Sequence, residues 1–268
     1  MLSYSNSFSQ EIVLYKHIDT TKLYLEVYYP NNIDTTKTYP AMVFYFGGGW
    51  NGGSKSQFTH QASYLSKRGL VCFLVDYRVK NKHNTTPFES LKDAKSAIRF
   101  IRKNASKFNI DKTKIIASGG SAGGHLAAAT ALIDYYNEPT DDLSISCIPN
   151  ALVLFNPVID NGPNGYGHER IGNTYSKFSP LHNIKENAPP TLFLLGTKDH
   201  LIPVETAKLY KNKMEELDNQ CDLELYKDGV HGFFNYNSFD NYKKTLEATD
   251  RFLQSLGYLS KKPKITIE

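Results

Sequence analysis

Five short apolar runs alternate with helical patterns along this chain, and that alternation constrains its fold more than any other feature. The runs lie at residues 41–46, 70–77, 115–118, 151–155 and 191–195. Runs of this length that are apolar on both faces fit parallel strands buried between two layers of helices. In the gaps, apolar residues recur at spacings of three and four, most clearly between Phe88 and Ala105. The sequence therefore predicts a doubly wound α/β sheet.

The two ends of the chain complete this sheet. Residues 11–17 and 22–29 alternate apolar and polar side chains around a short link, which predicts an antiparallel hairpin at one edge. A last strand at 223–226 and a helix from about Tyr242 to Leu256 give a mostly parallel sheet of about eight strands. No linker or repeat divides the sequence, so we expect residues 11–268 to form one domain.

Charge, hydropathy and cysteine content exclude several classes of partner and site. The net charge is only +4 and the basic residues are dispersed, which argues against nucleic acid. No apolar stretch is long enough to span a bilayer, so we expect no membrane partner. Three widely spaced cysteines indicate neither disulfides nor a zinc site, and Cys72 is expected to be a buried, unreactive thiol. Residues 1–10 lack the apolar core of a signal peptide. They could be the remnant of a trimmed signal peptide or result from a misplaced start, so the sequence leaves the compartment open.

A glycine-rich turn follows the third apolar run. The sequence Gly-Gly-Ser-Ala-Gly-Gly at 119–124 leads into a helical stretch at 122–136. Open α/β sheets place their sites at the carboxyl ends of strands, and G-x-S-x-G between a strand and a helix is typical of a nucleophile elbow. Small residues are needed there because larger side chains would collide in so tight a turn. Ser121 is the predicted nucleophile, and an N-cap of the helix is the alternative.

A serine nucleophile needs a base, and the base needs an orienting group. His231 follows the last predicted strand, and Asp199 follows the strand at 191–195. Nucleophile, acid and histidine occur in that order in α/β hydrolases. We therefore predict a catalytic triad of Ser121, Asp199 and His231.

Four other residues compete for the roles of base and acid. His125 lies four residues past Ser121 on the same helix, behind the nucleophile, and His200 adjoins the predicted acid. Asp228 is only three residues from the predicted base, and Asp160 follows the preceding strand, from which some hydrolases draw their acid. These stay as weaker alternatives.

The oxyanion of acyl transfer needs main-chain N–H donors, and glycines let the backbone approach it. Phe-Gly-Gly-Gly-Trp at 46–50 follows the first apolar run, where α/β hydrolases keep such a loop. We predict Gly48, Gly49 and Ala122 as the donors. Residues 47–52 also fit the dinucleotide signature G-x-G-x-x-G, but the helix begins only near Ser56, and a dinucleotide site gives the elbow no role.

Together these motifs resemble the hormone-sensitive-lipase-like and acetyl-esterase branch of α/β hydrolases, which includes acetyl-xylan-esterase-like members. The matching motifs are FGGGW at 46–50, DYR at 76–78, GGSAGGHLA at 119–127, GTKD at 196–199 and DGVHGF at 228–233. The resemblance implies an α/β-hydrolase fold and a serine esterase that needs no cofactor or metal. Phe46 departs from the histidine usual in this family, so we expect packing to replace its hydrogen bonds. We expect Asp76 and Arg78 to form a structural ion pair beneath the site.

The resemblance also bears on the substrate. Lipase-like members carry a helical cap, for which this chain leaves no room before a first strand near Glu11, so we expect no large cap domain. The one sizeable insertion, residues 157–190 near the site, is polar and suits a sugar better than a lipid. We therefore expect removal of acetyl groups from a small or oligosaccharide ester, with Trp50, Tyr166 and His168 as substrate contacts. The alternatives are a generalist carboxylesterase, an arylformamidase or peptidase-like hydrolase, and an inactive binding protein.

Overall fold

The computed structural model describes residues 10–31 and 33–268. Their strands form one eight-stranded sheet in the order β1-β2-β4-β3-β5-β6-β7-β8. Strands β1, β2 and β4 pair antiparallel, and every other pair is parallel. The strands are β1 Gln10–Ile18, β2 Thr21–Tyr28, β3 Tyr39–Tyr45, β4 Val71–Val75, β5 Ile110–Gly120, β6 Ala151–Phe155, β7 Thr191–Gly196 and β8 Cys221–Tyr226. The predicted sheet and hairpin are confirmed. The interpretation of residues 1–10 as a possible signal-peptide remnant lies outside the described residues, except at Gln10, which begins β1.

Helices cover both faces of the sheet. Side chains of α3, α4 and α6 belong to one core layer, and those of α1 and α7 belong to the other. None of the helices in the described part of the chain is long and apolar enough to cross a membrane. The α-helices are α1 Thr59–Lys67, α2 Lys80–His83, α3 Pro87–Lys103, α4 Ala122–Leu132, α5 His168–Ile171, α6 Val204–Glu215 and α7 Phe239–Ser255, and short 3-10 segments lie at Lys55–Phe58, Gly172–Lys177 and Pro180–His182.

Several elements differ in extent from their predictions, most clearly helix α4 and strand β5. Helix α4 ends at Leu132 rather than near Tyr136, because the next residue is extended and the buried ammonium of Lys95 binds the carbonyl of Ile133 at 2.6 Å. Charged donors at a helix end satisfy carbonyls that the helix leaves unpaired. Strand β5 is longer than predicted at both ends. Its polar first residues pair with β3 on the far side of a register shift, and its last two glycines pair with β6 through their backbones.

A buried group of four charges joins strand β1 to helix α3 and to the loops after β4 and α4. Lys16 on β1 lies 2.6 Å from Asp93 and 2.8 Å from Glu138. Arg78 contacts the same two carboxylates, at 2.8 Å and 3.0 Å. The expected pair between Asp76 and Arg78 is therefore wrong: Arg78 turns inward to Asp93, whose carboxylate also accepts its main-chain N–H. Breaking a buried pair of this kind costs about 3–5 kcal/mol.

The segment at 157–190 is ordered by both apolar and polar contacts. Its apolar members Val158, Ile159, Ile171 and Phe178 are buried in the core. Two of its polar members, Tyr166 and Arg170, contact the glycine-rich loop after β3, which we call the oxyanion loop (residues 46–50). The segment therefore packs against the oxyanion loop.

Candidate active site

Ser121 stands at the sharp turn between β5 and α4. Its backbone has φ 54° and ψ −119°, in the positive-φ region that non-glycine residues rarely adopt. The turn is held because its N–H donates to the carbonyl of Phe155 and its carbonyl accepts from the N–H of Val158, both at 3.0 Å. The hydroxyl makes no capping bond to α4. The N-cap alternative therefore does not describe how this side chain is used.

The glycines of the motif let two backbones meet behind the serine. A Cβ atom built on Gly123 would lie 2.0 Å from the carbonyl oxygen of Tyr45, and one on Gly119 would lie 2.4 Å from the backbone of Gly123. Real Cβ contacts essentially never come so close. The steric reason for small residues at 119–124 is thus visible as contact between β3, β5 and α4.

Three loops bring the predicted triad together. The Nε2 atom of His231 lies 2.9 Å from Oγ of Ser121, and its Nδ1 atom lies 2.8 Å from Oδ2 of Asp199. The other carboxylate oxygen accepts the N–H groups of Leu201 and Ile202 at 2.9 Å and 3.0 Å. The Asp199 side chain is fully buried, whereas that of His231 is 18% exposed. This is the arrangement that activates a serine hydroxyl.

The electrostatics of Asp199 suit the role of an orienting anion. Burial alone would raise the pKa of its carboxyl, but the hydrogen bond and charge of His231, together with two N–H donors, hold that pKa below its ordinary value. The carboxylate is therefore charged over the neutral range. A charged Asp199 can stabilise the imidazolium that forms when the ring accepts a proton.

The N–H groups of the oxyanion loop differ in whether they already have a hydrogen-bond acceptor. Gly47 donates to the side-chain oxygen of Gln57 at 2.7 Å, so its N–H is already used. No hydrogen bond between described residues uses the N–H of Gly48 or Gly49. Ala122 is the first residue of α4, so its N–H has no acceptor within the helix. Within the described part of the chain, the three predicted donors are therefore available to bind a developing negative charge.

Phe46 is held by packing and by hydrogen bonds. Its ring stacks on Tyr77 with centroids 4.0 Å apart, and its carbonyl accepts the Tyr77 hydroxyl at 2.6 Å. Gln57, which holds Gly47, also donates to Asn235 at 3.0 Å. Packing thus replaces only part of what the usual histidine does, because Tyr77 and Gln57 supply the polar contacts.

The alternative histidines take no part in this arrangement. His125 is fully buried, and its Nε2 atom lies 2.9 Å from the carbonyl oxygen of Phe178. Burial lowers the pKa of His125 to about 3, so the ring is neutral. His200 is exposed, with its ring centroid 6.2 Å from that of His231. The ring nitrogen within hydrogen-bonding distance of the Ser121 hydroxyl belongs to His231 instead.

The alternative acids are engaged elsewhere. Asp228 pairs with Lys198 at 2.9 Å on the surface. Asp160 accepts the N–H of Gly162 at 2.8 Å within the insertion. The carboxylate that bonds to His231 is that of Asp199, so the geometry favours this residue as the acid.

The three expected substrate contacts have different surroundings. Trp50 is only 1% exposed, which leaves almost none of its surface for a substrate. A Cβ atom built on Gly49 would lie 2.7 Å from the hydroxyl oxygen of Tyr166, so this tyrosine covers the oxyanion loop. His168 lies within the insertion, with Nδ1 3.0 Å from the carbonyl oxygen of Asn161. Of the three, Tyr166 is the one placed against the loop with surface to offer.

Sequence reasoning missed Asn156, which follows β6. It is buried, its side-chain oxygen accepts the N–H of Gly232 at 3.1 Å, and its Nδ2 atom lies 3.5 Å from Nε2 of His231. Asn156 therefore holds the loop that carries the histidine. Its position at the carboxyl end of a strand was the available signal.

The described residues contain no group of three or more His, Cys, Asp or Glu side chains that could hold a metal ion. Cys72, Cys147 and Cys221 are buried and free. Burial raises the pKa of the Cys72 thiol well above its ordinary value, which makes it a poor nucleophile.

Residues 25–160 match the BD-FAE family, and residues 164–259 match the dienelactone hydrolase family. The chain is 28% identical over 232 residues to the acetylxylan esterase of Xylanibacter ruminicola, a match that covers 81% of this chain and 45% of that protein. It is 30% identical over 221 residues to esterase LipC of Mycobacterium tuberculosis, a match that covers 74% of this chain and 54% of that protein. The chain spans about half the length of these curated relatives.

Among solved structures, the thermophilic esterase Est2 of Thermogutta terrifontis superposes with a TM-score of 0.90 at 40% identity, covering 95% of both chains. Structures of Est2 with bound propionate and with bound butyrate are equally similar in sequence. The same esterase phosphorylated by paraoxon superposes with a TM-score of 0.90 at 40% identity, covering 98% of this chain and all of that one. The likeness extends over nearly the whole chain.

Proposed function

Because the chain belongs to the esterase family of α/β hydrolases, we propose that it is a serine carboxylic-ester hydrolase that removes short acyl groups, chiefly acetyl, from carbohydrate. The observation that carries the proposal is the line of hydrogen bonds from Ser121 through His231 to Asp199. Structural relatives that are esterases support the same reaction class.

In the acylation step, Oγ of Ser121 attacks the ester carbonyl carbon while its proton passes to Nε2 of His231. Buried Asp199 keeps the ring in the tautomer that carries its proton on Nδ1, and its charge stabilises the imidazolium. The carbonyl oxygen becomes an oxyanion, for which the N–H groups of Gly48, Gly49 and Ala122 are the proposed donors. One such donor is worth about 3–4 kcal/mol of transition-state stabilisation.

Collapse of the tetrahedral intermediate breaks the bond to the alcohol oxygen, which takes the proton from His231 and leaves. Water then attacks the acyl-enzyme, with His231 again accepting the proton. The second intermediate releases the carboxylic acid and returns the proton to Ser121. Each half-reaction uses the same donors, so residues already present suffice for the whole cycle.

The carbohydrate substrate is supported by the polar insertion beside the oxyanion loop and by the similarity to an acetylxylan esterase. Tyr166, a half-buried residue of that insertion, lies directly over Gly49. Tyrosine offers both a ring and a hydroxyl to a sugar. We keep Tyr166 as the substrate contact with the best support.

Release of acetate from acetylated xylo-oligosaccharides, with an acyl-length series of p-nitrophenyl esters, tests the substrate proposal. We expect acetate release by the parent protein and none by Ser121→Ala. Highest activity on octanoate or longer chains, or no acetate from any acetylated glycan tested, would contradict the carbohydrate assignment.

A generalist short-chain carboxylesterase is the second candidate. It is favoured by the higher identity to Est2, an esterase observed with propionate and butyrate bound. Equal kcat/KM on acetyl, propionyl and butyryl esters of simple alcohols, with no gain on sugar esters, would select this candidate.

We also propose that residues 11–268 act as one catalytic domain. All eight strands belong to one sheet, and the site draws side chains from the loops after β5, β7 and β8. Proteolysis that releases a stable fragment retaining esterase activity would contradict this.

A further inference from the structure

We propose that Arg170, on the insertion between β6 and β7, is a positioning residue that locks the oxyanion loop in its active conformation. The proposal rests on the function proposed above, in which Gly48 and Gly49 supply oxyanion donors. It gives the insertion a part in catalysis as well as the proposed substrate contact at Tyr166.

The oxyanion loop is strained where these donors lie. Gly49 has φ 62°, and Trp50, immediately after it, has φ 58°. Glycine adopts this region freely, but a tryptophan there costs about 1–3 kcal/mol. Strain of this size persists only when surrounding contacts hold the backbone in place.

A rotation of the peptide plane between Gly49 and Trp50 would relieve the strain. Such a flip changes ψ of Gly49 and φ of Trp50 together, so it takes the tryptophan out of the left-handed region. The atoms that must swing are the carbonyl oxygen of Gly49 and the N–H of Trp50, which share this peptide plane. The N–H of Gly49 lies in the preceding peptide plane, so the flip affects it through the changed turn and does not rotate it directly. Whatever binds this oxygen therefore opposes the flip.

Arg170 binds it. Its Nη1 atom donates to the carbonyl of Gly49 at 2.5 Å. The carbonyls on either side, of Gly48 and Trp50, accept main-chain N–H groups of Asn51 and Lys80, both at 3.0 Å. Along residues 48–50, the middle carbonyl is the one secured by a side chain, and by a charged donor.

The guanidinium is itself oriented by the loop and the insertion. Its central carbon lies 5.2 Å from the ring of Trp50 and 5.5 Å from the ring of Tyr166. Arginine stacks on aromatic faces while it donates hydrogen bonds in its plane, which a lysine cannot reproduce. Glu169 also contacts Arg170, at 3.1 Å, but its side chain is 72% exposed. We therefore assign the positioning to the aromatic pair rather than to this surface ion pair.

The test compares Arg170→Gln and Arg170→Lys with two controls. We expect Arg170→Gln to lower kcat about 10- to 100-fold, less than the ~10²- to 10³-fold that loss of one donor costs, with KM nearly unchanged. Arg170→Lys should retain more activity than Arg170→Gln. Glu169→Gln should stay close to the parent, as should Arg251→Gln, a change at an exposed arginine paired with Glu224.

Trp50 gives a second readout, because it is the sole tryptophan of the chain. Its fluorescence reports the oxyanion loop directly, without substrate. We expect a changed emission in Arg170→Gln but not in either control. Guanidinium ion added to Arg170→Ala at a non-denaturing concentration should raise kcat and shift the emission back toward the parent spectrum.

Two results would overturn the inference. The first is a parental kcat in Arg170→Gln. The second is a fall in the kcat of Arg170→Gln that matches a fall in its folded fraction, together with no rescue of Arg170→Ala by guanidinium. Either result leaves the proposed function intact if Ser121→Ala is inactive. Activity retained by Ser121→Ala would instead overturn the proposed function itself.

Discussion

The Nε2 atom of His231 and the Oγ atom of Ser121 lie 2.9 Å apart although 110 positions separate them in the chain. Each occupies a loop at the carboxyl end of a parallel strand, so the sheet fixes their separation. The buried carboxylate of Asp199 on a third loop completes the contact. Activity should therefore depend on all three side chains and on the backbone turns that present them.

Replacing either catalytic partner should abolish turnover while the fold survives. We expect Ser121→Ala and His231→Ala each to lower kcat about 10⁴-fold or more, and the double variant to be little worse, because triad residues act as a unit. Hydrolysis of p-nitrophenyl acetate by the purified variants measures this. Losses that multiply in the double variant would contradict a shared role.

Asp199→Asn should lower kcat by roughly 10⁴-fold, since an amide favours the wrong tautomer of the ring and carries no charge. Asp228→Asn and Asp160→Asn are matched controls, because their carboxylates bond to Lys198 and to the N–H of Gly162 rather than to His231. Both should retain nearly full activity. A larger loss in either control than in Asp199→Asn would reassign the acid.

The pH profile of kcat/KM should rise with pH along a single ionisation, that of the catalytic base. Only the neutral ring of His231 can accept the serine proton. The pKa of the Asp199 carboxyl lies below its ordinary value, so this group is already charged and adds no second step. Initial rates from about pH 5 to 8 give the profile. A flat profile is incompatible with His231 as the base.

Gly123→Ala should damage the elbow, because its Cβ atom would lie 2.0 Å from the carbonyl oxygen of Tyr45. We expect a lower melting temperature and a large loss of activity. Gly52→Ala is the control, since its Cβ atom would lie 3.7 Å from the Asn81 side chain, an ordinary contact distance. Equal stability of the two variants would show that the strand and helix can separate without cost.

Local patterns were sufficient to predict the order of the elements and to select the three side chains of the proposed triad. The apolar runs marked the buried strands because both faces of this sheet are covered by helices. Ser121, Asp199 and His231 could be proposed because each lies just after a strand and their order is informative. Where strands are parallel, the loops at their carboxyl ends meet at one edge of the sheet.

Contacts between loops that are distant in the sequence could not be predicted from local patterns. Arg78 turns to Asp93 and Glu138 rather than to its neighbour Asp76, and no local pattern encodes that choice. The contact of Arg170 with the carbonyl of Gly49 likewise depends on how the insertion folds back onto the oxyanion loop. Both are tertiary contacts between segments that local spacing does not relate.

Among the strands that the structure describes, β1 lies at one edge of the sheet, with Ile12 and Leu14 exposed on it. Outer strands carry unpaired backbone groups that can recruit a strand from another molecule. The pairing of β1 is irregular between Leu14 and Lys16, and Lys16 is buried against Asp93. Straightening this strand to accept a neighbour would pull the ammonium of Lys16 away from Asp93 and Glu138, and the two buried carboxylates would then share the guanidinium of Arg78. The charges that attach the hairpin thereby also discourage aggregation through this edge.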